Sequence, residues 1–447
     1  MRRWSLVERS IFKAYDIRGI YPEELSQESA YLIGKALADF LNSEKVLIGR
    51  DARPSGNPLK HALVKGIMDR GVGVWDMGLI TTPMVSFAAG KTGFPGIMVT
   101  ASHNPPEYNG FKIIDRDVLP VGWDFGLNAV YERIMDGELP SGEKNGCIKD
   151  VDFLNDYTDF LLSKVGIGRK LKVCIDAFNG TTPVVLEKVL PEIDIDFIPL
   201  NFDIDGTYPK HPPNPLDYKN LEELKNAVLE NGADFGVAFD GDGDRCVFVD
   251  EKGEPVSPDL ITAILAREMG VKDEWVLVDV RTSRSVVEEI EKLGGKPERV
   301  RVGHAYARRR LKELDGKIGG ELAGHYYFKE MFYADSGILA YIHVLNYFSN
   351  IDTEFSQVIG EIKRYVSTGE VNFRIEDKDG AIEKVKDRFS DGKINMLDGL
   401  TVEYEDWWFN LRKSNTEPYL RLIVEAREKG VLEERFREIK GIIKEFS

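Results

Sequence analysis

The sequence predicts an α/β protein built from three related domains with mixed sheets, followed by a smaller α+β domain. Two observations carry this. First, a short apolar run that ends in an aspartate and leads into a polar loop occurs three times: Val46-Leu47-Ile48-Gly49-Arg50-Asp51, Val173-Cys174-Ile175-Asp176 and Val276-Leu277-Val278-Asp279. Each is followed by a helix-like stretch and a second strand-like run, so a strand–helix–strand unit recurs. Second, the tail from Val371 leaves that pattern. It has a helical Ile382 to Phe389, strand-like runs at Thr401 to Leu411 and Tyr419 to Ala426, and a charged amphipathic helix from Leu432. A chain of 447 residues is also longer than one core usually serves.

In chain order, Phe12 to Gly19 has no periodicity and ends at a glycine, which places it on a loop. Leu32, Ile33, Leu37, Phe40 and Leu41 fall at helical spacing and make Ser29 to Asn42 a helix. The helices of the three repeats begin near Pro58, Pro183 and Ser285. The runs after them are Gly73-Val74-Trp75, Ile195-Asp196-Phe197-Ile198 and Arg299-Val300-Arg301-Val302. Right-handed crossovers are expected. Breaks in composition at Asp136 to Gly146, Asp250 to Ser257 and Ser367 to Glu370 divide the chain into 1–146, 147–252, 253–367 and 368–447. Tyr208 to Pro215 is a proline-dense connector, and its His211 reads as a surface turn residue.

A net charge of −16 disfavours nucleic acid or an anionic membrane as partner, so an anionic substrate needs a local cluster of basic groups and amides. Cys147, Cys174 and Cys246 are few, odd in number and far apart, which argues for a reducing compartment and against structural zinc. Met1-Arg2-Arg3-Trp4 has no apolar run behind it, and no stretch approaches a membrane span, so a cytoplasmic protein is expected. Composition leaves open whether it forms a homo-oligomer.

Three loops carry candidate chemistry. Thr100-Ala101-Ser102-His103-Asn104-Pro105-Pro106-Glu107-Tyr108-Asn109-Gly110 separates two apolar strands, Gly96 to Val99 and Phe111 to Ile114. Ser102 therefore sits just past a strand end, where open α/β sheets place their ligands. A G-x-S-x-G elbow is excluded by Thr100 and Asn104, and extended backbone would turn His103 away from Ser102. Asp240-Gly241-Asp242-Gly243-Asp244 sets three carboxylates at alternate positions, a hard-oxygen set suited to Mg²⁺ or Ca²⁺. A calcium-binding EF-hand is a competing reading, but Arg245 stands where that loop needs glycine, and the flanks read as strands. Arg412-Lys413-Ser414-Asn415-Thr416, between two strands, is either a phosphate cradle or a polar hairpin.

These stretches, with Gly320-Glu321-Leu322-Ala323-Gly324-His325 and Arg412 to Pro418, resemble in order the four motifs of the α-D-phosphohexomutases, the phosphoglucomutase and phosphomannomutase family. The resemblance spans nearly the whole chain. It implies a four-domain enzyme that interconverts hexose 1-phosphate and hexose 6-phosphate, of mannose, glucose or both. A phosphoserine at Ser102 and a hexose 1,6-bisphosphate, which is both intermediate and activator, would carry the reaction. The metal would be Mg²⁺ on Asp240, Asp242, Asp244 and Ser102. Arg18, Lys112, Arg245 and His304 would serve catalysis, Lys112 and His304 by moving protons. Glu321, Ala323, His325 and Arg281 would bind the substrate with the distal phosphate clamp of Arg412, Ser414, Asn415, Thr416 and Arg421. Glu321 would accept from two sugar hydroxyls, and Ala323 replaces a serine common among relatives. The alternatives are a phosphoglucosamine mutase, a magnesium-dependent sugar phosphatase that hands the phosphoryl group to water, and a non-enzymatic calcium module.

Overall fold

The computed structural model describes residues 7–137, 139–140, 146–414 and 418–446. Its first sheet consists of β1 (Ile17–Ile20), β2 (Lys45–Arg50), β3 (Gly73–Leu79), β4 (Gly96–Val99), β5 (Tyr108–Ile114) and β6 (Ile148–Asp150), in the order β1-β5-β4-β2-β3-β6. The second holds β7 (Lys172–Asp176), β8 (Asp196–Leu200), β9 (Phe235–Phe239), β10 (Cys246–Asp250) and β11 (Pro255–Val256), ordered β11-β10-β9-β7-β8. The third holds β12 (Trp275–Asp279), β13 (Lys296–Val300), β14 (Ile318–Gly320), β15 (Tyr326–Phe328) and β16 (Ala334–Asp335), ordered β13-β12-β14-β15-β16.

The three sheets share one plan. A central strand (β2, β7, β12) pairs in parallel with the next strand on one side (β3, β8, β13) and with a third on the other (β4, β9, β14). The third strand then turns back into an antiparallel partner (β5, β10, β15). The repeat read from three aspartate-ended runs is thus a repeat of topology. The three motif loops fall at the same turn of each unit: Ser102 between β4 and β5, the aspartates between β9 and β10, and Glu321 to His325 between β14 and β15. Strands β9, β10, β14 and β15 are buried along their whole length, as sheets covered on both faces require.

The fourth sheet is antiparallel, with β17 (Val366–Ser367), β18 (Val371–Phe373), β19 (Lys393–Asn395), β20 (Leu400–Glu403), β21 (Trp407–Lys413) and β22 (Leu420–Ala426). Helices Lys378–Arg388 and Lys429–Lys444 cover it, and it has a separate apolar core around Phe409, Leu422 and Ile439. The first three domains instead share a continuous core. Helices Thr82–Thr92, Pro258–Met269 and Gly337–Ser349 contribute Phe87, Ile261 and Tyr341 to it, together with Phe239 of β9.

Three sequence expectations need correction. Ile17–Ile20, placed on a loop, pairs antiparallel with β5 as an edge strand, because Gly19 and Arg18 meet Asn109 and Gly110 across the ladder. The run Thr401 to Leu411 is two strands, folded back between Glu403 and Trp407. The third repeat's second strand ends at Val300, so Arg301 and Val302 lie beyond it. Short strands also pair across the expected boundaries: β6 with β3, β11 with β10, and β17 with β22. Among the described residues, no helix is long and apolar enough to cross a membrane.

Candidate active site

Ser102 follows the end of β4 in left-handed backbone (φ 51°), a conformation a serine adopts only when its surroundings hold it. The restraint is visible. Thr100 donates its hydroxyl to Asp51 and accepts the Ser102 amide, at 2.7 and 2.8 Å. Arg53, 1 % exposed, donates to the carbonyls of Ser102, Asn104, Pro105 and Tyr108 while its Nε pairs with Asp51. Because Ser102 is not extended, the expectation that His103 points away fails: its Nδ1 lies 3.4 Å from Ser102 Oγ. Burial, aided by Arg245, Arg18 and Lys112, keeps the His103 pKa well below the usual imidazole value.

The carboxylate loop meets this serine from the second domain. Ser102 Oγ donates to Asp240 Oδ2 at 2.6 Å. Gly241 makes the approach feasible, since a Cβ there would stand 2.7 Å from the Ser102 carbonyl oxygen, and Gly243 takes the turn at φ 76°. Asp240, Asp242 and Asp244 are buried, with oxygens within 4.8 Å of one another. Burial, then Asp244 and Asp242, push Asp240 well above the ordinary carboxyl range. Lys112 bridges Asp242 and Asp244. Burial opposes it, but Lys112 and His325 hold Asp244 down, to about 2. One oxygen each of Asp242 and Asp244 is buried without a hydrogen-bond partner among the described residues. That is the donor set of a cation site: converging hard oxygens with unspent lone pairs. The flanking elements are strands, which removes the EF-hand reading. Thr82 docks the loop on the first domain by donating to Asp242.

Arg245 reaches toward Asp240 and Asp244 at 3.8 and 3.9 Å. Its backbone bridges to His325, which brings the second and third motifs together. His325 Nδ1 lies 2.7 Å from Asp335. Burial holds the pKa of nearby His304 down to about 3, so its imidazole is neutral. Tyr15 packs 5.5 Å from that ring, centroid to centroid, and donates to the Val302 carbonyl. Arg18 pairs with Asp16 and donates to Asn104 at 2.5 Å, at the rim of the serine loop. Glu321 is buried and accepts from the Gly303 amide and the Tyr327 hydroxyl, both at 2.8 Å, which leaves one acceptor position per oxygen. Ala323 is half-buried in the adjoining turn.

The third repeat's aspartate, Asp279, accepts the Leu322 amide and the Arg281 guanidinium. Arg281 points on toward the last domain. There Glu370 receives Arg412 at 2.6 Å, Arg421 at 3.3 Å and Arg281 at 3.5 Å. Ser414 closes the β21–β22 hairpin with its amide on Tyr419. Asn415 and Thr416 lie outside the described residues.

Arg53, Thr82, Asp335 and Glu370 were not singled out in the sequence. A signal for Arg53 existed. Asp51-Ala52-Arg53 and Asp279-Val280-Arg281 are the same Asp-x-Arg in two repeats, with Phe178 at the arginine position of the other. In both, the aspartate pairs with the arginine two residues on and holds the neighbouring motif loop.

Four family models match in succession, the phosphoglucomutase/phosphomannomutase alpha/beta/alpha domains I, II and III and the C-terminal domain, over residues 9–139, 155–253, 257–365 and 370–441. The chain is 36 % identical over 439 residues to a phosphomannomutase of Methanocaldococcus jannaschii, covering 97 % of each. It is likewise 36 % identical to a phosphomannomutase of Vibrio cholerae, covering 98 % of this chain and 99 % of that one. Among solved structures, it superposes on a phosphoglucomutase/phosphomannomutase family protein of Burkholderia thailandensis with a TM-score of 0.89, at 30 % identity and with 98 % of each chain covered.

Proposed function

The chain belongs to the phosphoglucomutase/phosphomannomutase family and is a phosphohexomutase, and we propose that it moves a phosphoryl group between carbons 1 and 6 of mannose or glucose phosphate through phospho-Ser102. The observation that carries this reading is the buried contact of Ser102 Oγ with Asp240. A serine hydroxyl held against a carboxylate triad, with Lys112 and Arg245 around it, is arranged for phosphoryl transfer, where positioning and charge neutralisation are the protein's main tasks.

In this reading the Ser102 Oγ–P bond breaks as the substrate's free hydroxyl oxygen bonds to phosphorus. The hydroxyl proton passes to neutral His304, and Lys112 returns a proton to Ser102 Oγ. The resulting hexose 1,6-bisphosphate turns end for end, and its other phosphate goes back to Ser102. Arg412, Ser414 and Arg421 hold the phosphate that is not reacting, so the same clamp serves either end. Asp240, Asp242 and Asp244 would hold Mg²⁺, whose charge would stabilise the transferring group. The orphaned oxygens of Asp242 and Asp244 suit that ion, which takes few protein ligands beside phosphate. The last domain closes over bound sugar phosphate, since nucleophile and clamp stand on separate domains.

A coupled assay over mannose, glucose and glucosamine 1-phosphates, with and without bisphosphate activator, tests the reading. Activator-dependent isomerisation is expected. Release of inorganic phosphate instead would make the protein a phosphatase, and glucosamine phosphate as best substrate would make it a phosphoglucosamine mutase.

A further inference from the structure

Glu370 stands where the chain crosses from the third domain to the fourth, between β17 and β18. Its one carboxylate faces three guanidinium groups. Arg412, 2 % exposed in its side chain, approaches one oxygen, and Arg421 and Arg281 approach the other. Two of these arginines belong to the fourth domain and one to the third. Arg412 and Arg421 are the phosphate clamp of the proposed reaction. Arg412 Nε is buried without a hydrogen-bond partner among the described residues, so the guanidinium keeps a donor in reserve. A carboxylate among three arginines offers the charge and the planar fork geometry that phosphate also offers.

We propose that Glu370 is a built-in counter-anion of the phosphate clamp, which occupies its arginines across the domain boundary and competes with bound phosphate so that the clamp lets go. The inference rests on the clamp reading given above. It answers a requirement of the reaction: the bisphosphate leaves the clamp and turns in every cycle, so a clamp that binds too tightly stalls it. Burial works against a charge on Glu370, but Arg281, Arg412 and Arg421 together hold its pKa below the usual value, so it competes as an anion near neutral pH. Glu370 acts through the arginines and is a positioning residue; it need not touch the sugar.

The test is a calorimetric titration of the full-length protein with inorganic phosphate, paired with steady-state kinetics, for wild type, Glu370→Gln and Arg412→Ala. Glu370→Gln should bind phosphate roughly tenfold more tightly, the factor one charge-assisted contact is worth. Its KM for hexose phosphate should fall, and kcat should fall with it as the bisphosphate turns more slowly. A residue that merely braces the arginines would do the opposite, weakening phosphate binding and raising KM, and that result overturns the proposal. If Glu370→Gln does not fold, Glu370→Asp withdraws the same charge by one methylene. It should tighten phosphate by a smaller factor, and unchanged or weaker binding again overturns the idea. Arg412→Ala separates the two levels. If it leaves phosphate affinity intact, the clamp is wrongly assigned and the proposal falls with it. If it loses affinity while Glu370→Gln gains none, only the role of Glu370 is refuted.

Discussion

Ser102 and Asp240 are 138 residues apart in sequence, yet the serine hydroxyl donates to the aspartate carboxylate at 2.6 Å, across the boundary between the first two domains. The contact joins the proposed nucleophile to the candidate cation site. Ser102→Ala should lower turnover by roughly a thousandfold or more, the scale seen when a covalent nucleophile is removed. Intact-mass analysis should find a phosphate on the wild-type protein and none on the variant. Full activity in the variant would rule out a phosphoserine route.

Chelation should abolish activity reversibly. Treatment with EDTA and gel filtration, then addition of Mg²⁺, should restore turnover, while Ca²⁺ should bind but support slower transfer, because the larger ion takes more ligands in looser geometry. Asp242→Asn should raise the Mg²⁺ concentration needed for half-maximal rate. Turnover with Ca²⁺ equal to that with Mg²⁺ would contradict the assignment.

Arg53 tests the loop architecture. Arg53→Met leaves Asp51 buried beside an apolar chain and frees four carbonyls of the serine loop. Breaking a buried pair from one side costs about 3–5 kcal/mol, so the first domain should unfold at a visibly lower temperature in calorimetry. Below that temperature turnover should still be depressed, because Ser102 loses the hold on its left-handed backbone. Wild-type kcat in a folded variant would make Arg53 a stability element alone.

His343 should make stability depend on pH. Its two ring nitrogens lie 2.9 Å from Glu268 and Glu330, far from the serine loop in sequence. Burial opposes the charge, but the two carboxylates raise the imidazole above its ordinary 6.5. A raised histidine stabilises the fold fully below the unfolded value and loses that contribution as pH climbs through the folded one. Glu330, lowered from 4.5 by His343 and Lys164 against burial, contributes above 4.5 and fades as pH falls. The Tm gap between wild type and His343→Gln should therefore be widest at about pH 6 and narrow toward about pH 9. A gap that widens with pH would reverse the assigned charge.

Mannose and glucose phosphates should be used to similar extents. They differ in the orientation of the carbon-2 hydroxyl, while in the proposed reading the two hydroxyls that Glu321 accepts from are those at carbons 3 and 4, which both sugars present alike. One hydrogen bond is worth roughly 0.5–1.5 kcal/mol, or about tenfold in kcat/KM. Ala323 supplies no hydroxyl to sharpen the choice. A preference beyond roughly a thousandfold, which needs about 4 kcal/mol, would mean that carbon 2 is read directly.

What the sequence determined by itself is what short-range pattern encodes. Apolar runs placed the strands that lead into Asp51 and end in Asp176 and Asp279, and their recurrence defined three like domains. The spacing of Asp240, Asp242 and Asp244 announced a candidate cation site, since three carboxylates so close in the chain are close in space whatever the fold. The tertiary structure decided the rest, because the deciding contacts join residues far apart in the chain. That Asp51 and Asp279 anchor the neighbouring motif loops shows only once Thr100 and the Leu322 amide are seen on them. That His103 turns toward Ser102 follows from a backbone angle imposed by Arg53, which no local propensity predicts. The common turn shared by the three motif loops needed the strand order. The meeting of Arg281, Arg412 and Arg421 on Glu370 needed two domains in place, since charges pair by distance in space, on which sequence separation is silent.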